Sequence, residues 1–150
     1  MDKISDSIIH LENDEWLQTP EGDPRGYIQP GSLEELWFHT GTVCNLRCPF
    51  CLEGSMPGNN RLQPITLADV KPFIQEALAL GTQQFSFTGG EPFVIPEMVD
   101  ILDYALDYNP CLVLTNATEP LLNRIGQIAP LAQKHFELQL LVLQSLEFLL

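Results

Sequence analysis

LEELWFHTGTVCNLRCPFC, residues 33–51, is the stretch on which the reading of this chain turns. Its first part, Leu33 to Thr40, is apolar and aromatic and reads as a strand that ends in the turn Gly41-Thr42. The octet Cys44-Asn45-Leu46-Arg47-Cys48-Pro49-Phe50-Cys51 follows as the loop after that strand and holds three of the chain's four cysteines. Three residues separate the first two cysteines and two separate the second pair. Thiolates this close can bind one face of a metal centre, leaving a fourth coordination position to another ligand. An acidic chain with no visible secretory leader gives little reason to read them as disulfide partners. Two metal readings remain. Zinc would want a fourth protein ligand to close its tetrahedron, and a [4Fe–4S] cluster on three cysteines would leave one iron open. His39, five residues ahead of Cys44, is a conceivable ligand, although a strand residue facing the sheet interior or a bound ligand is the plainer reading.

Outward from the octet the pattern is strand, loop, helix, repeated. EGSMPGNNRLQP is a Gly/Asn/Pro-rich loop, and Thr66-Leu67-Ala68-Asp69 resembles a capping box that opens a helix from about Leu67 to Leu80. Val70, Phe73, Ile74, Ala77 and Leu78 fall on one face, and Gly81 stands in the C′ position. Gln84 to Phe87 reads as a second strand, with Thr88-Gly89-Gly90-Glu91-Pro92 as the loop after it. Pro96 then opens a helix through about Tyr108, with Met98, Ile101, Leu102 and Ala105 as its apolar stripe, and Asn109-Pro110 stops it. Cys111 to Thr115 is a buried-looking strand, and its cysteine reads as a small core hydrophobe. Thr118 caps a third helix, and Phe136 to about Leu143 is a further strand. Tandem βα units of this kind predict an α/β fold with a parallel sheet. In such folds chemistry lies on the loops after the strands' C-terminal ends. The octet, the Gly-Gly-Glu-Pro loop and Thr115-Asn116 all fall there, so the expected site is composite.

The totals bound the partners. With 150 residues, 45% hydrophobic and 18% charged, the chain is globular in composition and long enough for a core. A formal charge of −13 argues against a nucleic-acid backbone or an anionic membrane surface as partner. No window reaches the ~18–20 apolar residues needed to span a bilayer, and the expected compartment is the reducing cytoplasm. Residues 1–32 read as a Pro/Gly-punctuated lead-in, in which Ser7 to Leu11 is a candidate short strand, His10 a surface residue, and Trp16 and Tyr27 cover for the core. The remainder, 33–150, is read as the main domain.

Cys-x3-Cys-x2-Cys with an aromatic residue before the last cysteine resembles the signature of the radical S-adenosylmethionine (radical SAM) superfamily. Gly89-Gly90-Glu91-Pro92 resembles that family's SAM-binding motif, and Leu114-Thr115-Asn116 the stretch ending its fourth strand, with Ala117 where glycine is usual. The resemblance covers about Leu33 to Leu143. It implies the first part of a partial TIM-type (βα)6 barrel, with Cys44, Cys48 and Cys51 as ligands of a [4Fe–4S] cluster. It also implies Phe50, Gly89, Gly90, Glu91, Thr115 and Asn116 as cofactor-binding residues for S-adenosylmethionine. The family reaction is reductive SAM cleavage to a 5′-deoxyadenosyl radical that abstracts hydrogen from a substrate, here a small molecule or peptide, with an electron donor as partner. The alternatives are an inactive Fe–S/SAM-binding fragment and a zinc-stabilised interaction module. The chain supplies only three complete βα units and a fourth strand, so the core domain is expected to be truncated. Ser145 and Leu146 echo a distorted continuation, and the apolar tail from Leu140 to Leu150 invites a completing chain or self-association.

Overall fold

The structure, a computed structural model, describes residues 17–26, 31–134 and 136–142. The chain divides into two compact units, Met1–Gly31 and Ser32–Leu150. In the first, Gln18 and Pro24 form an antiparallel bridge closed by the Thr19 N–H on the Asp23 carbonyl at 2.8 Å. The readings made of Ser7 to Leu11, His10, Trp16 and Tyr27, and of the tail beyond Val142 with Ser145 and Leu146, lie outside the described residues.

The second unit carries four parallel strands in the order of the chain: β1 (Glu35–His39), β2 (Gln84–Thr88), β3 (Cys111–Thr115) and β4 (Leu138–Val142). Between them run α1 (Leu67–Ala79), α2 (Met98–Leu106) and three short helices, α3 (Glu119–Leu122), α4 (Ile125–Ile128) and α5 (Leu131–Lys134). This is the α/β architecture of successive βα units, the opening part of a barrel. Register fixes two unlike faces, because side chains alternate along a strand. Phe38 pairs with Phe87, and Phe87 with Val113; these join Phe85, Cys111 and the buried faces of α1 and α2 in one apolar core. The opposite face bears Glu35, Trp37, His39, Gln84, Ser86, Leu112, Leu114 and Leu141. There the Glu35 carboxylate accepts from Ser86 Oγ and from Gln84 Nε2 at 2.8 Å. The Ser86 hydroxyl, followed by Trp37 and Gln84, holds the Glu35 carboxyl below the usual range against the opposing effect of burial.

Local chemistry explains the helix ends. Thr66 Oγ1 accepts the Asp69 N–H at 3.2 Å while Asp69 Oδ2 accepts the Thr66 N–H at 2.9 Å, so the expected capping box is formed. At the other end Gly81, at φ +88°, gives its N–H to Leu78, and Thr82 gives its own to Ala77, the paired bonds of a Schellman motif. Thr66→Ala is expected to destabilise the protein by about 1 kcal/mol, measured by urea denaturation. The Thr66 hydroxyl and then its N–H hold the Asp69 carboxyl below its ordinary value of 3.8. A depressed folded pKa gives stability that is present above the unfolded value and lost as pH falls through the folded one. The gap between wild type and variant should therefore narrow below about pH 4.

Three sequence expectations shift. Phe73, placed on the apolar face of α1, is 58% exposed, because Val70, Ile74 and Ala77 already fill the contact with the sheet. The second helix starts at Met98 and ends at Leu106, not at Pro96 and Tyr108. Pro92–Val94 form a separate 3₁₀ turn, and Ile95 ahead of Pro96 is extended (φ −72°, ψ 130°), as a residue before proline prefers. The third helix is broken into α3, α4 and α5, with Pro130 unable to donate the bond that would continue α4. The expected stripe of Met98, Ile101, Leu102 and Ala105 is wholly buried. Cys111 is buried as well, and burial pushes its thiol up to about 12, so it stays a neutral core thiol.

Candidate functional site

The loops after β1, β2 and β3 are stitched together by the main chain. Thr40 donates to the Thr88 carbonyl at 2.7 Å, Gly90 to Gly41 at 2.9 Å and Glu91 to Val43 at 3.0 Å. Gly89 (φ +143°) and Gly90 are where this close approach requires glycine: a Cβ on Gly90 would stand 2.1 Å from the Val43 carbonyl oxygen. The Gly-Gly segment thus lies edge to edge with the chain that leads into Cys44.

Glu91 is buried, and its carboxylate serves the protein. Oε1 accepts the Phe93 N–H at 3.0 Å, capping the 3₁₀ turn, and the Thr115 hydroxyl at 2.9 Å; Oε2 accepts the Asn116 N–H at 2.8 Å. Thr115 Oγ1 also receives the Ala117 N–H at 3.0 Å. These bonds carry the loop after β2 onto the end of β3. Ala117, where the sequence puts alanine for glycine, adopts φ +52°. A left-handed alanine costs roughly 1–2 kcal/mol, so Ala117→Gly is expected to stabilise the protein by about 0.5–1 kcal/mol after the loss of its methyl contact. Thermal denaturation checks this.

The octet loop is anchored at both ends. The Cys44 N–H donates to Met56 at 3.4 Å, Cys51 donates to Cys48 at 3.2 Å and Gly54 to Cys51 at 3.1 Å. Thr42, fully buried, accepts the Leu62 N–H at 3.1 Å and donates to Asn59 Oδ1 at 3.0 Å, folding residues 54–62 back onto the strand end. All four cysteines are free thiols; Cys44 is buried, Cys48 and Cys51 half-buried. Burial pushes the Cys44 thiol up, the Leu46 N–H works against that, and the charges of Glu91, Cys48 and Cys51 add to the rise. Among the described residues no three Cys, His, Asp or Glu side chains stand close enough together to hold a metal ion. The donor set still fits an iron–sulfur cluster in kind: three free thiols on one loop, with N–H groups already directed at the first sulfur.

His39 does not join the thiols. Its Nδ1 accepts the Gly41 N–H at 3.2 Å and its Nε2 lies 3.4 Å from Glu53, whose carboxylate also meets Arg61 at 3.4 Å. Phe50 is 55% exposed on the octet, available to a flat ligand but touching none of Gly89, Gly90 or Glu91 in a hydrogen bond or ring contact. Asn45, Thr42 and Asn59 lie in stretches the sequence marks as turn or loop, with no bonding role expected of them. Their signal was polar side chains inside an otherwise turn-forming stretch, which does not say what each would bond.

The Cys-x3-Cys-x2-Cys octet and the glycine-glycine-glutamate turn both lie on loops at the C-terminal edge of one parallel sheet, the arrangement of a parallel α/β protein with its motifs gathered at the strand ends. Residues 38–141 match the Radical SAM superfamily, and the chain belongs to that family. Members of the superfamily use a [4Fe–4S] cluster and S-adenosylmethionine, and these are the cofactors the family assigns to this chain. The chain is similar to the GTP 3′,8-cyclase of Synechococcus elongatus, 38% identical over 61 residues, covering 40% of this chain and 19% of that protein. The GTP 3′,8-cyclase of Chlorobaculum tepidum is 31% identical over 78 residues, covering 50% and 23%. The chain thus spans about a fifth of the length of these relatives. Among solved structures, Streptococcus suis SuiB bound to precursor peptide SuiA resembles 77% of this chain and 25% of its own, at 22% identity and a TM-score of 0.59. SuiB bound to S-adenosylmethionine gives the same TM-score at 20% identity, covering 77% and 26%. At these identities the likeness is one of fold. No helix among the described residues is long and apolar enough to cross a membrane.

Proposed function

We propose that this chain is the cofactor-binding part of a radical SAM enzyme, in which Cys44, Cys48 and Cys51 ligate a [4Fe–4S] cluster. The Gly89–Glu91 loop, together with Phe50, Thr115 and Asn116, receives S-adenosylmethionine. When bound, the cluster supplies an electron and SAM the 5′-deoxyadenosyl radical that takes hydrogen from a substrate, a small molecule or a peptide. The observation that carries this reading is the main-chain pairing of Gly90 and Glu91 with Gly41 and Val43, which sets the glycine loop beside the cysteine loop.

Each residue has a task in that reading. The thiols provide three anionic ligands. Gly89 and Gly90, having no side chain, leave main-chain carbonyls open to the ligand's ammonium. Phe50 offers a ring face to a flat base. An electron donor delivers the reducing equivalent. The zinc alternative lacks a gathered ligand set among the described residues, where no three Cys, His, Asp or Glu side chains stand together, and His39 Nδ1 accepts the Gly41 N–H. Metal analysis after anaerobic reconstitution tests the reading. About four irons and four sulfides per chain are expected, with both lost in Cys48→Ala; one zinc per chain would refute it.

A further inference from the structure

Asn116 sits between Glu91 and Cys44. Its main-chain N–H is on Glu91 Oε2, and its side-chain Oδ1 accepts both the Thr118 N–H at 3.1 Å and the Thr118 hydroxyl at 2.6 Å. A main-chain N–H can only donate, so the carboxamide's oxygen end is fixed by chemistry. The other end therefore carries two N–H groups. One donates to Asn45 Oδ1 at 3.0 Å, and Cys44 Sγ lies 3.9 Å from the same nitrogen. Asn45 Nδ2 donates in turn to Thr118 Oγ1 at 2.8 Å, closing a ring in which Asn116, Asn45 and Thr118 each give and accept one bond. Thr118, expected to cap α3 with its side chain, spends its hydroxyl here instead, and α3 has no side-chain cap.

We infer that Asn116 is a positioning residue for Cys44: its amide, locked by the ring and by Glu91, seats the first sulfur against the loop after β3 and donates an N–H to it. A hydrogen bond to a thiolate sulfur stabilises the negative charge that reduction adds to an iron–sulfur centre, and so raises its potential. This redox consequence rests on the proposed cluster. The placement of the amide on the sulfur does not.

Two measurements separate them. In the iron-free, reduced, full-length protein, the side-chain amide resonances of Asn116 and Asn45 should move in Cys44→Ala and hold still in Cys51→Ala. Unmoved signals in Cys44→Ala would overturn the placement. In reconstituted protein, Asn116→Ala should keep its iron and sulfide and shift the midpoint potential to a more negative value, with a smaller shift in Asn45→Ala, where the direct bond to sulfur survives. An unchanged potential in Asn116→Ala would overturn the tuning role. A simple loss of packing would lower stability without moving the potential. If wild type takes up no iron, the proposed cluster fails, and the amide resonances alone decide this inference.

Discussion

Gly90→Ala is expected to destabilise the protein by ~3 kcal/mol or more and to abolish S-adenosylmethionine binding. The new Cβ would lie 2.1 Å from the Val43 carbonyl oxygen, 2.6 Å from its carbonyl carbon and 3.1 Å from that of Thr42, all main-chain atoms. No rotamer change relieves a clash with backbone. The loop must leave the strand end, breaking the Gly90 and Glu91 bonds to Gly41 and Val43. Overpacking of a rigid site typically costs 1–3 kcal/mol and at times more, and the ~3 kcal/mol expected here would lower Tm by roughly 6–12 °C in a domain of this size. Gly126→Ala is the control. Nothing stands within 4 Å of its added Cβ, and it lies inside α4, so a small gain in stability is expected. Equal Tm values for the two variants would contradict the close approach of the loops.

Glu91→Ala is the second large effect. One buried carboxylate takes three donors, from Phe93, Thr115 and Asn116, and its removal strands them in a protein interior. Each buried donor left without an acceptor costs about 1–3 kcal/mol, so a loss of at least ~3 kcal/mol is expected in urea denaturation. Glu91→Gln should cost less, about 1–3 kcal/mol, because one oxygen still accepts while the new NH2 opposes a donor. A carboxylate whose main role was to contact solvent or a ligand would give near-wild-type stability in both variants. That result would count against Glu91 as the pin between the loops after β2 and β3.

The cysteine octet, the glycine-glutamate turn and the order of strands and helices were legible in the sequence because each rests on local chemistry. Thr66 with Asp69 and Gly81 with its neighbours mark the ends of α1 through bonds that reach only three to five residues. Met98, Ile101, Leu102 and Ala105 recur at helical spacing and are all buried. What the sequence hid is set by which of several competing groups wins a contact, and in places by groups distant along the chain. Phe73 has the right spacing for the core, yet the sheet is already filled by its helix neighbours. The break at Ile95 follows from two prolines acting on either side of a buried cap residue. The Asn45–Thr118–Asn116 ring joins residues more than seventy positions apart, and nothing in an Asn or a Thr announces its partner. Glu91 is the instructive case: the motif marks it, while the structure shows its carboxylate turned inward.

The most direct measurement is 5′-deoxyadenosine formation by the anaerobically reconstituted chain supplied with S-adenosylmethionine and a strong reductant. The account predicts product from wild type, none from Cys48→Ala and none from Gly90→Ala. Protein that holds about four irons and four sulfides yet forms no 5′-deoxyadenosine would contradict the proposal that these residues bind the cluster and S-adenosylmethionine productively.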